Sequence, residues 1–495
     1  DGTDLLLRRP NSTIYYETQT NRRLFIARFN ENSGNLNWSS YFGGTGADEL
    51  NDMEMNDANE IYLVGYTPSS DFTKLNRSDG SYYKSTSSAS GFISHFNQNQ
   101  SLVHSTGFGT TNTRIHSIAL AIENSFYSSV YITGETNRGS ASDFLVKEDP
   151  INGFDNVTNS FGGGKSDAFI TKFKPTTSTR MPLLWSSYYG GTDDDVGLTI
   201  DLSATDVYVG GSTEASNFPI KQDNGTGAFN QTTKYDKKDG FIGRFTKQGV
   251  QEYTTYFGSD CEDEIRHIVL DPTSDDYYAL GNHDDPLGST LIAVTTGPGS
   301  WNQSTPSSDL MEVSINWFKE NNNLSWSTYF GGSFRDEVFS GVMSENDYLV
   351  IGGYTTSTQF NQGGTSTYEN FPLCNHFSTF IANQVTDDDQ ADYGFVSTFD
   401  LRHQRVGADQ LIVKDNIKIY PTLNKGLFWI DLNDDLIAED IHYEIVNSLG
   451  QRVAVDQVTN NITKVDISKF PAGMYHCVIH SSGRNLDVFK VIKTK

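Results

Sequence analysis

Apolar residues in this chain come in short runs. Most are five to eight residues long, rich in β-branched and aromatic side chains, and bounded by Gly, Asp or Asn, which predicts strands separated by turns. One run returns with a recognisable spelling: LFIARF at Leu24–Phe29, GFISHF at Gly91–Phe96, DAFITKF at Asp167–Phe173, DGFIGRF at 239–245, MEVSINWF at 311–318 and YGFVSTF at 393–399. A longer stretch also repeats, in which an aromatic strand ends in a Gly-Gly turn and two further strands follow. It reads LNWSSYFGGTGADELNDMEMNDANEIYLVGYT at 36–67, WSSYYGGTDDDVGLTIDLSATDVYVGGST at 185–213 and SWSTYFGGSFRDEVFSGVMSENDYLVIGGYT at 325–355, with weaker copies at 103–136 and 252–282. The turn glycines Gly43, Gly109, Gly190, Gly258 and Gly331 are 66, 81, 68 and 73 residues apart, an uneven period that marks one supersecondary unit with loops of variable length.

Each repeat predicts four short strands, which in the third copy are 197–202, 206–211, 240–245 and 184–189. The six copies of the third-strand run predict six units. The first would use 4–9, 13–19, 24–29 and 37–43, and the last would end in a degenerate strand at 410–413. Pairing the two chain ends to close a ring would give five. The predicted fold class is all-β: a β-propeller over residues 1–413, whose radial arrangement leaves only short, protected strand edges. Connections after the first and third strands are short, as at 56–60 and 30–36. Those after the second are long, at 68–90, 137–166, 214–238, 283–310 and 356–392. Strand parity puts these long loops on the same side as the Gly-Gly turns, and binding concentrates on such a decorated side. The repeat stops near residue 414. Residues 414–495 predict a small Ig-like β-sandwich with strands at 417–421, 427–432, 442–447, 452–458, 463–466, 473–480 and 486–492.

Charge and composition narrow the classes. The 36 basic and 62 acidic residues give a net charge of −26, which repels nucleic acid and anionic lipid and favours divalent cations. No apolar run reaches the 18 residues that a membrane span needs. The chain opens at Asp1 without a charged start and apolar core, so any export leader is expected to have been removed or to lie outside these residues. The three cysteines, Cys261, Cys374 and Cys477, match no zinc spacing. Cys477 is expected to be a small core residue, and a Cys261–Cys374 bridge is not expected.

The repeat WSSYYGGTDDDVGLTIDLSATDVYVGGSTEASNFPI, followed by DAFITKF-type strands, resembles the SBBP-type β-propeller repeat of bacterial secreted proteins. That resemblance implies a propeller and no particular activity. The tail resembles the type A C-terminal sorting domain of the type IX secretion system of the Bacteroidota. It does so through IKIYPTLNKGLFWI at 417–430, EIVNSLGQRV at 444–453, VDISKFPAGMYHCVI at 465–479 and the basic end FKVIKTK at 489–495. The usual Asn-Pro after Tyr-Pro is here Thr422-Leu423. This resemblance implies partnership of 414–495 with the secretion machinery, passage across the outer membrane, and an extracellular or cell-surface location. It also implies that the tail is normally removed after export.

Candidate chemistry comes in three sets. Asp48, Asp195, Asp263 and Asp336 occupy one position of the Gly-Gly turn. One or two carboxylates per turn fall short of the six to eight oxygens of a calcium site, so acceptance of turn N–H groups is the leading expectation and calcium the minority one. No cofactor is required. Trp38, Trp185, Trp326, Tyr253 and His104 share a second repeat position and are expected to pack between sheets. Tyr82, Tyr83, Phe154, Trp301 and Tyr368 lie in the long loops outside the repeat register and are the expected stacking residues for a bound glycan, with pinning of the long loops to the blades as their alternative role. No HExxH, G-x-S-x-G or P-loop pattern is present, so catalysis has little support. The leading expectation is an exported protein that binds a glycan, surface polymer or protein partner. An extracellular polysaccharide-acting enzyme and an accessory subunit of an outer-membrane assembly are the alternatives.

Overall fold

The computed structural model describes residues 6–400 and 417–494, apart from short stretches. The longest of these are 138–145, 148–160, 285–302, 304–309, 363–370, 374–392 and 433–440. The chain forms two compact units, Asp1–Leu401 and Arg402–Lys495. The residues around the expected boundary at 413/414 lie outside the described set. Among the described residues there is no α-helix, and no helix is long and apolar enough to cross a membrane.

The first unit is a series of antiparallel sheets. β1 (Leu24–Phe29) and β2 (Leu36–Phe42) form a pair. Four complete four-stranded sheets follow. The first holds β3 (Glu49–Met55), β4 (Ile61–Tyr66), β5 (Gly91–Phe96) and β6 (Leu102–Phe108). The second holds β7 (Arg114–Asn124), β8 (Tyr127–Thr136), β9 (Asp167–Phe173) and β10 (Leu183–Tyr189). The third holds β11 (Asp195–Leu202), β12 (Asp206–Thr213), β13 (Asp239–Thr246) and β14 (Gln251–Phe257). The fourth holds β15 (Glu262–Leu270), β16 (Tyr277–Asp284), β17 (Glu312–Phe318) and β18 (Leu324–Phe330). The series ends in a three-stranded sheet of β19 (Asp336–Met343), β20 (Tyr348–Thr355) and β23 (Tyr393–Asp400). A short parallel pair, β21 (Phe360–Gln362) and β22 (Phe371–Leu373), is inserted before β23. The aromatic strand before each Gly-Gly turn is thus the outer strand of one sheet, and the turn leads into the inner strand of the next. In the third sheet the fourth strand is accordingly Gln251–Phe257, not 184–189.

The inner strands carry the device that repeats the sheets. Each has a β-bulge at the same place: between Leu50 and Asp52, Ile115 and Ser117, Gly197 and Thr199, Ile265 and His267, and Val338 and Ser340. A bulge bends the strand and raises its twist. It also explains a glycine in the repeat. A Cβ on Gly65, Gly134, Gly211 or Gly353 would lie 2.0, 2.0, 1.9 or 1.9 Å from a carbonyl oxygen of the neighbouring inner strand, closer than any side chain can approach. Side chains of the inner strands, and in the fourth complete sheet Asn282 of the second strand, then bond one sheet to the next inner strand. Asp52 Oδ2 accepts from Ile118 N at 2.9 Å, Thr199 Oγ1 from Ile268 N at 3.1 Å, Asp201 Oδ2 from Leu270 N at 3.1 Å, and Asn282 Oδ1 from Val338 N at 2.9 Å. The apolar core lies between sheets. Tyr62, Val64 and Ile93 of the first complete sheet pack with Ile115, Ile118 and Val130 of the second, and Ala119, Tyr131 and Ile170 pack with Ile200, Val207 and Phe241 of the third.

Residues 4–9 and 13–19 do not form the inner strands expected of a first unit. Those described among them have no strand conformation beyond a single bridge. Arg8 and Ser39 exchange backbone bonds of 3.4 and 3.0 Å along the outside of β2. Lys147 laps Ser186 and Lys221 laps Thr254 in the same way, on β10 and β14. The segment is therefore the counterpart of a long loop folded back over an outer strand. Its mixed polar sequence makes edge contacts to β2, at Arg8 with Ser39 and at Glu17, whose carbonyl accepts from Tyr41 N at 3.3 Å, with no inner-strand bulge or glycine.

The second unit has two sheets around one core. One contains β24 (Ile417–Tyr420), β26 (Leu427–Leu432) and β29 (Ile462–Asp466). The other contains β25 (Leu423–Asn424), β31 (Arg484–Lys493), β30 (Gly473–Ser481), β27 (Ile441–Asn447) and β28 (Arg452–Gln457). Phe428 and Ile430 from the first sheet meet Ile445, Cys477, Ile479 and Val491 from the second. All seven expected strands are present. The addition is β25, two residues paired parallel to β31.

Candidate functional site

Register places the Gly-Gly turns and long loops at one end of the sheets. Glu49 pairs with Tyr66, Asp195 with Thr213, Glu262 with Asp284 and Asp336 with Thr355, so the start of each inner strand lies beside the end of its neighbour, where the long loop departs.

The turn acids hold this end together. Each has one carboxylate oxygen accepting from the residue after the turn glycine or its equivalent: Asp48 from Gly44 N at 2.5 Å, Asp195 from Gly191 N at 2.6 Å, Asp263 from Ser259 N at 2.5 Å and Asp336 from Gly332 N at 2.6 Å. Asp48 Oδ1 also takes the Thr67 and Ser69 hydroxyls at 2.6 and 2.7 Å. All four side chains are buried. Their partners here are hydrogen-bond donors, the geometry of a turn brace. Burial pushes Asp195 up to about 8, against the opposing bonds from Thr213 and Gly191, with Asp167 and Asp193 adding repulsion. Asp167, which accepts from Gly162 N at 2.6 Å, is pushed up to about 7, again chiefly by burial.

The repeat-position rings are buried as expected: Trp38, Trp185, Trp326, Tyr253 and His104. Their polar atoms do something the sequence did not suggest. Trp38 Nε1 donates to Tyr15 O at 3.0 Å, Tyr253 Oη to Phe229 O at 2.5 Å, and His104 Nε2 is 3.0 Å from Tyr82 O. In three of the sheets the ring thus pins the backbone of the lapping loop. This makes Tyr15, Tyr82 and Phe229 equivalent positions.

The loop aromatics divide. Tyr82 is an anchor: its ring packs on Phe108 and Phe173 at 5.8 and 5.7 Å, and its N–H bonds Met181 O. Tyr83 beside it is exposed. Phe154, Trp301 and Tyr368 lie outside the described residues.

What the loop-bearing end does present is a polar cleft of about 430 Å³ between the second and third complete sheets, lined by Asn112, Glu135, Asn137, Lys165, Ser166 and Asp194. Glu135 accepts from Ser166 Oγ at 3.1 Å and lies 3.5 Å from His116 Nε2. Burial would raise its carboxyl, but His116, Ser166 and Arg114 together hold it below the usual range. Lys165 Nζ lies 3.2 Å from Asp194 Oδ2, and the Lys165 N–H also bonds that carboxylate. Two amides, two ionised carboxylates, an exposed ammonium and a hydroxyl can exchange hydrogen bonds with a hydroxyl-rich ligand. The sequence named none of these residues as a site. Asn112 and Asn137 follow the Gly-Gly turn and the second strand of the least regular repeat, where no pattern marks them.

A second group lies on the inner strands. Glu54 is pushed up to about 7 by desolvation, then by the charges of Asp52 and Asp201. Asp201 is pushed up to about 6 by burial and by Asp52. His267 is lowered by burial, with Asp52 opposing. Asp52 and Asp201 serve as inter-sheet acceptors, as described above.

The comparisons bear mainly on the tail. The family model for the secretion system C-terminal sorting domain matches residues 418–494. The tail therefore marks the chain as exported cargo of the type IX route, destined for the cell surface or extracellular space. No curated protein matches the chain. Among solved structures it is similar to PorZ, an essential bacterial surface component of the type IX secretion system of Porphyromonas gingivalis. The identity is 10%, 92% of this chain and 61% of that one are covered, and the TM-score is 0.27. It is also similar to the WD40 domain of SCAP from fission yeast (7% identity, 89% and 73% covered, TM-score 0.26). A third is a family 32 glycoside hydrolase from Bifidobacterium adolescentis (10%, 92% and 78%, TM-score 0.28). The chain thus spans about three fifths of the first of these. Similarity at these scores carries no argument about function.

Proposed function

We propose that this is a surface-displayed or secreted binding protein whose sheets are SBBP-like blades of a propeller. The rigid sheet series holds the loop-bearing end toward a glycan or surface polymer, and the cleft at Glu135, Asn137 and Asp194 is its contact point. The sorting tail, an Ig-like sandwich in this reading, brings it outside the cell. The observation that carries the proposal is the coincidence of turns, long loops and polar cleft at one end of the sheets. Such ends, built on stiff strands, are where loops serve recognition. Calcium at the turn acids would add to this role and is not needed for it. The test is binding of the full chain to a panel of extracellular polysaccharides, with and without calcium. Asn137→Ala and Glu135→Ala should each weaken the strongest interaction at least ~10-fold if they contact the ligand. Binding indifferent to both changes removes the cleft from the proposal, and no binding across the panel removes the glycan reading.

One observation favours a second reading, an enzyme acting on a polysaccharide. Glu54 and Asp201 are acids in one electrostatic neighbourhood, with one poised near neutrality, as general acid–base work requires. Release of reducing ends from a polymer, abolished by Glu54→Gln, would put this reading first.

A further inference from the structure

The fourth complete sheet departs from the others at its turn, and the departure assembles metal-binding chemistry. In three sheets a buried threonine on the second strand faces the turn: Thr67 gives its hydroxyl to Asp48 at 2.6 Å, Thr213 pairs in register with Asp195 and Thr136 bonds Thr113 at 2.6 Å. In the fourth, strand register pairs Asp263 with His283. Two residues before the aspartate, where the other turns have Gly46, Asp193 and Phe334, stands Cys261. The two replacements meet at one carboxylate oxygen. His283 Nδ1 is 2.5 Å and Cys261 Sγ 3.0 Å from Asp263 Oδ1, and all donor atoms of the trio lie within 4.8 Å of one another. Cys261, Asp263 and His283 are 4%, 0% and 1% exposed.

We propose that this trio is a site for a borderline divalent transition-metal cation, zinc foremost, with Cys261 Sγ, Asp263 Oδ1 and His283 Nδ1 as ligands. A thiolate, an imidazole and a carboxylate are the donor set such an ion takes, and calcium, which takes oxygen, would not use the sulfur. The fourth position falls to Ser259 Oγ, 3.1 Å from Cys261 Sγ, or to water. The histidine already has the outer partner that a ligand histidine needs. Its Nε2 is 2.6 Å from Ser314 Oγ, so an Nε2–H donated there leaves the Nδ1 lone pair toward the cluster. Bracing the turn does not account for the pair, because Asp263 Oδ2 still takes the Ser259 N–H as its counterparts do, and threonine suffices elsewhere. Ligands around tetrahedral zinc sit roughly 3–3.7 Å apart, so loading requires the trio to open by about half an ångström to an ångström. Binding Zn²⁺ displaces the thiol proton of Cys261 and the proton shared by Asp263 and His283. Both are released to solvent, past exposed Asp260 in the same turn.

The test uses the full chain stripped of metal and titrated with Co²⁺, then Zn²⁺. The expected result is one Co²⁺ per chain with a thiolate-to-cobalt charge-transfer band, displaced by Zn²⁺, and slower alkylation of Cys261 once zinc is bound. His283→Thr recreates the threonine–aspartate pairing of the first complete sheet, so it should fold and bind at least ~100-fold more weakly. Cys261→Ser should lose the band whether or not His283→Thr folds. Binding without the band, binding retained in the folded His283→Thr chain, or no Co²⁺ retained by the wild type would each overturn the proposal.

Discussion

The third complete sheet and the two ends of the series are built from the same repeat, yet they differ in what covers them. In the third sheet β13 is buried along nearly its whole length, and both faces meet apolar partners from neighbouring sheets. At the start of the series β3 is mostly exposed. Leu50, Met53 and Met55 lie on the face that β1 and β2 cover only farther out, at Leu63. At the other end, Val342 and Val396 are exposed on the last sheet, on the face opposite buried Leu349 and Ile351. Among the described residues, no strand pairs with the free edge of β1. A sheet of this kind therefore gets its stability from two neighbours, and identical sequence grammar gives a core residue or a surface residue according to whether both are in place.

The largest contrast should come from large-to-small changes. Trp185→Ala removes a fully buried ring in the middle of the series and should cost ~3–5 kcal/mol. Met53→Ala at the open end should fall within ~0.5 kcal/mol of wild type. Urea unfolding of both variants measures the difference, and equal costs would end the idea that the ends are less covered than the middle. A backbone version of the same contrast is next in size. Gly211→Ala places a Cβ 1.9 Å from the Val196 carbonyl oxygen and should cost at least ~2 kcal/mol through backbone displacement. Gly352→Ala in the last sheet has its nearest atom at 3.7 Å and should cost less than ~1 kcal/mol. A folded Gly211→Ala protein with an unchanged urea midpoint would show that the bulge carbonyl can move freely.

These contrasts also show what the sequence made legible. Strand order, turn positions, the side on which the loops emerge and every strand expected in the tail could be read from period-2 runs and turn residues, because those patterns are local. The bulges could not be read. They add one residue to an inner strand and appear in the sequence only as the second glycine of motifs such as VGGST, whose reason is a carbonyl on another strand. Residues 4–9 and 13–19 were misread because a lapping loop and an edge strand have similar composition, and the count of six third-strand runs invited the missing strands to be supplied. The turn aspartates were recognised as a set through their recurrence. Asn112, Glu135, Asn137 and Lys165 went unnamed because they converge from separate loops of one irregular repeat, and His283 because register alone brings it to Asp263.

The last contrast concerns charge at the covered turns. Asp195 is raised to about 8 in the folded chain, above its unfolded value of ~3.9, so the folded state holds the proton over a range where the unfolded chain has released it. Below about pH 4 both states are protonated and the group contributes nothing. As pH rises from 4 to 8 the unfolded state gains relative to the folded one, and stability falls. Asp195→Asn keeps the acceptor for Gly191 N and can donate its amide to Thr213 Oγ1, so the turn survives without the titration. Measured between pH 5 and 8, the stability of the variant should therefore improve steadily relative to wild type. Glu60 and Glu135, lowered by their histidine partners, are common to both proteins and cancel in that difference. A difference that stays flat with pH would mean that Asp195 is ionised in the folded chain throughout, and that burial at the middle of the series does not reach the turn.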